Sequence, residues 1–332
     1  MMINTAVFDL DGTLTVRETG NIPSSTIDAL RQLKKQNIIL ILATGRPYYE
    51  IDPSLIEQIG ADYVVSLNGR ILYDQYGKMI SHNPIDSEIV QSVIKYAKEN
   101  GIEHGIHTQN KTIILEGNSI QKQIENIIRR PSNLIYFNKL DESTLVYNIM
   151  IKIEDNQDLE TFKNVFPELV VESFGEKFYD VYSKDSNKRI GVDNIFKLTH
   201  SQWRKTIIFG DGANDVCMAK QAFISFAMSD SHEDLLSVKD IRIARKSNEE
   251  GIPFALRELG LIEFPDSRHG WIRFKHRFTT TNLGTVLPIS LFLFIAFAYD
   301  LFIMDLPGSS LNYLVLGSIS LMYSIYLYMG KK

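Results

Sequence analysis

Cysteine is nearly missing from this chain: Cys217 stands alone among 332 residues. That excludes an intrachain disulfide and any cysteine-based zinc cluster, and it suits a reducing compartment. A surplus of positive charge is missing as well. With 35 Lys and Arg against 40 Asp and Glu, the formal net charge is -5, which argues against the clustered positive surface that nucleic-acid backbones require. The pair Arg129-Arg130 reads as a solvated face. Met1 to Leu10 show no basic stretch followed by an apolar run, so no cleavable export signal is visible and the globular part is expected in the cytoplasm. Long polar tracts, low-complexity segments and internal repeats are also lacking. Hydrophobic residues at 44% and charged residues at 23% describe a chain that folds. Its length exceeds what one hydrophobic core serves, which points to two globular units and an accessory segment.

The accessory segment is apolar. Phe278 to Tyr299 and Leu306 to Gly330 carry no charged residue, and each run matches the about 20 residues that cross a bilayer core. Between them, Asp300, Asp305 and Pro307-Gly308 suit a short loop in water. Arg268, Arg273, Lys275 and Arg277 precede the first run and Lys331-Lys332 follow the second, so the positive-inside rule puts both ends in the cytoplasm. The expectation is a basic linker over 266–278 and a transmembrane hairpin over 279–330, with the bilayer as a partner; a pair of buried core helices is the competing reading.

The rest reads as α/β. Ala6-Val7-Phe8, Ile38 to Leu42, Tyr63 to Ser66 and Thr206 to Phe209 are short β-branched or aromatic runs, the pattern of strands buried on both faces of a parallel sheet. Ser24 to Gln36 has Ile27, Leu30 and Leu33 at helical spacing, with Ser24 or Ser25 as the expected cap. Between His82 and Tyr182 the texture changes. Helices are expected at Asp86 to Asn100, Ile120 to Arg129 and Leu159 to Phe166, strands at Thr112 to Glu116 and Tyr147 to Ile153, then two more strands. The expected architecture is a Rossmann-like, mostly parallel sheet with helices on both faces, built from 1–81 and 183–265, and interrupted by an α+β cap domain over 82–182.

Four strings carry chemistry. In Phe8-Asp9-Leu10-Asp11-Gly12-Thr13, two carboxylates sit just past a buried strand, where open α/β sheets place ligands. Asp9 can attack phosphorus to give an acyl phosphate, provided a cation offsets the repulsion between anionic nucleophile and anionic ester. Asp11 can protonate the leaving alkoxide and then activate water. Gly12 permits the tight turn that swings Asp11 back over the site. Ala43-Thr44-Gly45-Arg46 ends another buried strand and offers a hydroxyl and an accessible N–H to a phosphoryl group, with Arg46 read as solvated. Lys188, next to its competitor Arg189, offers a fixed ammonium. In Gly210-Asp211-Gly212-Ala213-Asn214-Asp215, hard oxygen ligands suit Mg²⁺. Asp211 is assigned to the metal, Asp215 acts through water or by orienting neighbours, and Asn214 positions the phosphate or Lys188.

In this order the four strings resemble the haloacid dehalogenase superfamily, specifically its Cof-type phosphatases, in which a large α+β cap is inserted between the second and third motifs. Ser66-Leu67-Asn68-Gly69 and Ser247-Asn248-Glu249-Glu250-Gly251-Ile252 are further similar strings, while Met228-Ser229-Asp230-Ser231 departs from the family pattern. The resemblance implies a Mg²⁺-dependent phosphatase acting on a small phosphorylated substrate. It implies Mg²⁺ bound by Asp9, the main-chain carbonyl of Asp11, and Asp211, with Thr44, Gly45, Lys188 and Asn214 on the phosphoryl group. P-type ion pumps share two of the strings, but Asp11 argues for prompt hydrolysis over a retained phospho-enzyme. A phosphomutase and a membrane-tethered sensor without turnover are the other rivals. For the leaving group, Tyr179, Asp180 and Asn110 are the polar candidates in the inserted segment.

Overall fold

The computed structural model describes residues 3–127, 134–136, 140–141 and 143–263. The linker, the expected hairpin and Arg129-Arg130 lie outside the described residues. Among the described residues, no helix is long and apolar enough to cross a membrane.

Two sheets organise the chain. The first has eight strands in the order β14-β13-β12-β1-β2-β3-β4-β5, formed by β1 (Thr5–Phe8), β2 (Ile39–Ala43), β3 (Tyr63–Ser66), β4 (Ile71–Asp74), β5 (Met79–His82), β12 (Thr206–Gly210), β13 (Ile224–Met228) and β14 (Arg242–Ala244). Every pairing from β14 to β3 is parallel; β4 and β5 add an antiparallel edge. Because side chains alternate across a strand, Ala6, Phe8, Leu40, Leu42, Ile207 and Phe209 join one apolar cluster. Val7, Ile41, Ala43 and Ile208 join another on the opposite face. The first cluster packs on α1 (Ser24–Lys35), α2 (Pro53–Ile59) and α9 (Gly251–Glu258), and the second on α6 (Lys188–Thr199), α7 (Val216–Ala219) and α8 (Glu233–Leu236). Phe209 stacks between Phe8 at 5.3 Å and Phe226 at 4.7 Å, which fixes the strand ends that carry the acidic loops.

The cap of α1 differs from expectation. Neither serine caps it: Pro23 occupies that position with no side-chain hydrogen bond, and its carbonyl accepts from the N–H groups of Thr26 and Ile27. Pro23, whose ring pre-sets φ, enters the helix at φ -58°, so Ser24 is already inside it.

The second sheet comes from the stretch between β5 and α6. Its order is β10-β11-β9-β6-β7-β8, with β6 (Glu103–His107), β7 (Thr112–Glu116), β8 (Leu134–Tyr136), β9 (Asn148–Lys152), β10 (Leu169–Gly175) and β11 (Phe178–Ser183). All pairings are antiparallel except β7 with β8. One face packs on α3 (Ser87–Glu99) and α5 (Asn156–Val165) through Ile106, Ile113, Ile149, Ile151 and Val181. On the other, Ile114 and Met150 meet Ile120 and Ile124 of α4 (Asn118–Ile127). Asp86 and Asp155 cap α3 and α5 by accepting from the N–H groups of Glu88 and Gln157.

Two short segments join the sheets, and Arg70 ties them together. Its side chain is fully buried and donates to the carbonyls of Asn83 (3.0 Å) and Ser183 (2.6 Å) and to Asp185 Oδ1 (3.0 Å). Asn83 in turn donates to Asp185 Oδ2 at 3.2 Å.

Candidate active site

β1 lies between β2 and β12, and the chain leaves it in both directions across the sheet, so its carboxyl end opens on a crevice. The loops after these three strands carry Asp9 and Asp11, Thr44 to Arg46, and Asp211 to Asp215. Asp9 is seated by its N–H, which donates to the Phe209 carbonyl at 3.0 Å. Gly12 has φ +80°, and a side chain there would run into the carboxylate of Asp211 and the head of Arg17. The turn closes when Thr15 bonds back to Leu10 through its N–H (2.9 Å) and its hydroxyl (3.0 Å).

Lys188, at the start of α6, is completely buried between two aspartates. Its Nζ donates to Asp9 Oδ1 at 2.6 Å and to Asp215 Oδ1 at 2.8 Å. The other Asp215 oxygen accepts from the main-chain N–H groups of Asp211 and Gly212, both at 3.0 Å. Asp215 is thus committed to orienting Lys188 and the Asp211 turn. Arg189, the competitor, pairs with Asp193 at 2.7 Å.

Thr44 is buried, its N–H on the Val65 carbonyl at 2.8 Å, and its hydroxyl accepts from the Arg46 N–H at 3.1 Å. Arg46 is not a solvated bystander: its guanidinium grips Asp11 with two bonds, 2.7 and 2.6 Å, in the planar geometry that suits a carboxylate. Gly45 faces Asn68, which would lie 3.4 Å from any Cβ added there. Asn68 sits at φ 52° after Leu67 at φ 49°, a left-handed pair that turns its amide into the cleft. There it accepts from Asn214 Nδ2 at 3.1 Å and donates to Glu172 Oε2 of the second sheet at 3.3 Å. Asn214 therefore meets Asn68, while the bonds of Lys188 go to Asp9 and Asp215.

The electrostatics ask for a cation. Burial holds the Asp9 pKa well above the ordinary carboxylate value; Lys188 opposes this, but Asp215, Asp211 and Asp11 add to it. Burial and Asp215 push Asp211 up to about 6 against the pull of Arg17, with which it is paired. Burial works against a charged Lys188, yet Asp215 and Asp9 outweigh it and keep the ammonium protonated. Carboxylate oxygens of Asp9, Asp211 and Asp215 lie within 4.8 Å of one another. Carboxylates this close, none of them exposed, call for a positive charge among them. Thr13 donates to Asp211 Oδ1 at 3.2 Å. This donor set of hard oxygens fits Mg²⁺.

Above the cleft, the second sheet presents residues that sequence reading passed over. His107 pairs across with Asn148 and with Thr112, and Glu172 with Asp180. Thr112 donates to Glu50 Oε1 at 2.9 Å, and Tyr49 OH lies 3.0 Å from both His107 Nδ1 and Thr112 Oγ1. Glu172 Oε2 also accepts from Tyr182 OH at 2.8 Å. Of the three candidates from this stretch, Asp180 belongs to the row, accepting from Asn148 Nδ2 at 2.6 Å. Tyr179 packs against the apolar cluster under α3 and α5 instead. Asn110 is an exposed turn residue that accepts from Thr108 at 3.4 Å. A separate groove of about 850 Å³ runs beside the connecting segments, lined by Asn83, Ile85, Leu145 and Asp185, and contains none of the motif residues.

Known proteins resemble this chain in sequence and fold. The family model described as haloacid dehalogenase-like hydrolase matches residues 6–256. A Streptococcus pyogenes protein, whose name joins a phosphatase to a peptidyl-prolyl cis-trans isomerase, is 30% identical over 262 residues. The match covers 79% of this chain, which spans 55% of that protein's length. The phosphatase YwpJ of Bacillus subtilis is 23% identical, with 76% of this chain and 98% of YwpJ covered. The structure of the subclass IIB sugar phosphatase BT4131 is 25% identical with a TM-score of 0.70, over 78% of this chain and all (100%) of that one. With the family model matched over residues 6–256, this chain belongs to the haloacid dehalogenase-like hydrolases and is a phosphatase of that family.

Proposed function

We propose that the chain hydrolyses a small phosphate monoester, of the sugar-phosphate or cofactor-phosphate class, through an aspartyl-phosphate on Asp9. The observation that carries this reading is the grip on the nucleophile: Lys188 holds one Asp9 oxygen at 2.6 Å and is itself locked by Asp215. Asp9 attacks phosphorus as the bond to the leaving oxygen breaks, and the Asp11 carboxyl gives its proton to that oxygen. Asp11, now a carboxylate, takes a proton from the water that attacks the acyl phosphate. Inorganic phosphate leaves and both aspartates return to their starting state. Lys188, Thr44, the Gly45 N–H and the Asn214 amide contact the transferring phosphoryl oxygens. Mg²⁺ supplies, when bound, the positive charge that lets an anion approach an anion; Asp9, Asp211 and the main-chain carbonyl of Asp11 would hold it, with Asp215 orienting the turn. The sugar phosphatase among similar structures and the sheet above the cleft, acting as a cap, support a small polar ester. The uncharged runs Phe278 to Tyr299 and Leu306 to Gly330 support a two-span anchor with the catalytic part and both ends in the cytoplasm.

The test uses the purified full chain with Mg²⁺ and 4-nitrophenyl phosphate. Inorganic phosphate is released, Asp9→Asn abolishes the release, and Asp11→Asn accumulates labelled phospho-enzyme. Equal turnover by Asp9→Asn sinks the nucleophile assignment. An isomeric ester in place of inorganic phosphate identifies a phosphomutase, and tight ester binding without turnover identifies a sensor.

A further inference from the structure

The roof of the cleft is acidic in a way the hydrolytic step does not need. Glu172 and Asp180 form a cross-strand pair on β10 and β11, and Glu50 faces them from the loop after β2. All three belong to one electrostatic neighbourhood. Asp180 acts on Glu50, Glu172 acts on Asp180, and Glu172 responds to the charges of Lys188 and Asp215 in the catalytic loops. Asn68 links roof and floor, bonded to Glu172 at 3.3 Å and to Asn214 at 3.1 Å.

The positive side of this neighbourhood is already engaged. Lys188 is shared by Asp9 and Asp215, Arg46 is doubly bonded to Asp11, and Arg17 is paired with Asp211. Three described cations thus face four catalytic carboxylates before the roof is counted. The remaining members of the row add no charge. His107 is kept neutral by burial, which pulls its pKa down to about 3, and Asn148 turns an unpartnered buried oxygen into the row. Burial pushes Asp180 up to about 7 and Glu50 up to about 8, the latter although Arg46 and Thr112 partly offset it. Asp180 and Glu172 are nevertheless only partly buried.

We propose that the leaving group of the substrate carries a protonated amine, seated between Asp180 and Glu172, with Glu50 closing the far side. The site thereby selects amino-bearing phosphate esters over hydroxyl analogues and rejects esters with a second anionic group. This deepens the phosphatase reading and rests on it. An ammonium donates three hydrogen bonds to a wall of acceptors and supplies the missing charge. A carboxylate-bearing leaving group meets unpaired like charges, a repulsive device for specificity.

The experiment measures kcat/KM of the full chain with Mg²⁺ on matched esters: glucosamine 6-phosphate against glucose 6-phosphate and 6-phosphogluconate, and 2-aminoethyl phosphate against 2-hydroxyethyl phosphate and phosphoglycolate. On at least one skeleton the amine is expected to exceed the hydroxyl by about tenfold, with the carboxylate poorest. Asp180→Asn and Glu172→Gln, each nearly isosteric, bring the amine-to-hydroxyl ratio close to one, chiefly by raising KM for the amine. Wild-type ratios near one on both skeletons, a preference for the carboxylates, or a ratio that survives both substitutions overturns the proposal while leaving the phosphatase reading intact. Absence of turnover for every ester and for 4-nitrophenyl phosphate overturns both.

Discussion

Lys188 shows how much one side chain is asked to do. It is wholly buried, within hydrogen-bond reach of two carboxylates, and a buried ion pair is strongly destabilised when one partner is removed because the other charge is left without compensation. Lys188→Ala should lower stability by about 3 kcal/mol at pH 8. The loss should shrink at pH 5, because burial already holds the Asp9 pKa well above the ordinary carboxylate value and Asp9 can take up a proton, leaving less charge without compensation. Urea denaturation of both proteins at the two pH values checks this, and a loss independent of pH would show that packing rather than charge is responsible. The catalytic residues were legible because they cluster in sequence at strand ends: Asp9 and Asp11, Thr44 and Gly45, and Asp211 to Asp215 each follow an apolar run. Arg46 was misread because a charged residue after a Thr-Gly turn is ordinarily solvated, and its partner Asp11 is 35 positions away. Asn68 was noted only as part of a similar string, since nothing local says that its left-handed backbone will bridge two loops.

At the scale of elements, the roof row was hidden for a different reason. Thr112, His107, Asn148, Asp180 and Glu172 come from five strands, and only the register of the sheet puts them side by side. Glu103–His107 also failed to read as a strand, because it is polar, with a glycine at its centre. The same row makes the contact between the two sheets sensitive to pH. Burial raises Glu50 from its ordinary value of 4.5 to about 8, against the Thr112 hydrogen bond and Arg46, which favour the charged form. The folded chain therefore holds a proton that the unfolded chain releases above about 4.5, so this residue's contribution to stability declines as pH rises from there to about 8. Glu50→Gln keeps an acceptor for Thr112 and removes the titration. Its Tm relative to the parent should climb steadily between pH 5 and pH 8 and level off above. Parallel Tm curves for the two proteins would show that Glu50 is ionised throughout.

For the whole molecule, the four central strands β1, β2, β3 and β12 were readable from their β-branched or aromatic runs, whereas β13, β14 and the antiparallel pair Ile71–Asp74 and Met79–His82 were not, being short or interrupted by polar residues. The anchor proposed for the C-terminal runs makes a distinct prediction. The full chain should sediment with membranes and resist alkaline extraction, while a chain ending at residue 263 should remain in the supernatant and keep its turnover of soluble esters. Recovery of the full chain in the supernatant would remove the bilayer from its partners. Arg70 bears on how such a molecule was assembled at all. One guanidinium binds both connecting segments, at Asn83 and at Ser183 and Asp185. The entropy of closing a flexible loop grows with the logarithm of its length, so about a hundred intervening residues weigh on their host by only a few kcal/mol. With both ends fastened to a single side chain, the first sheet closes over them as it would over a tight turn, and what lies between is free to change its sequence without unsettling the sheet that carries Asp9.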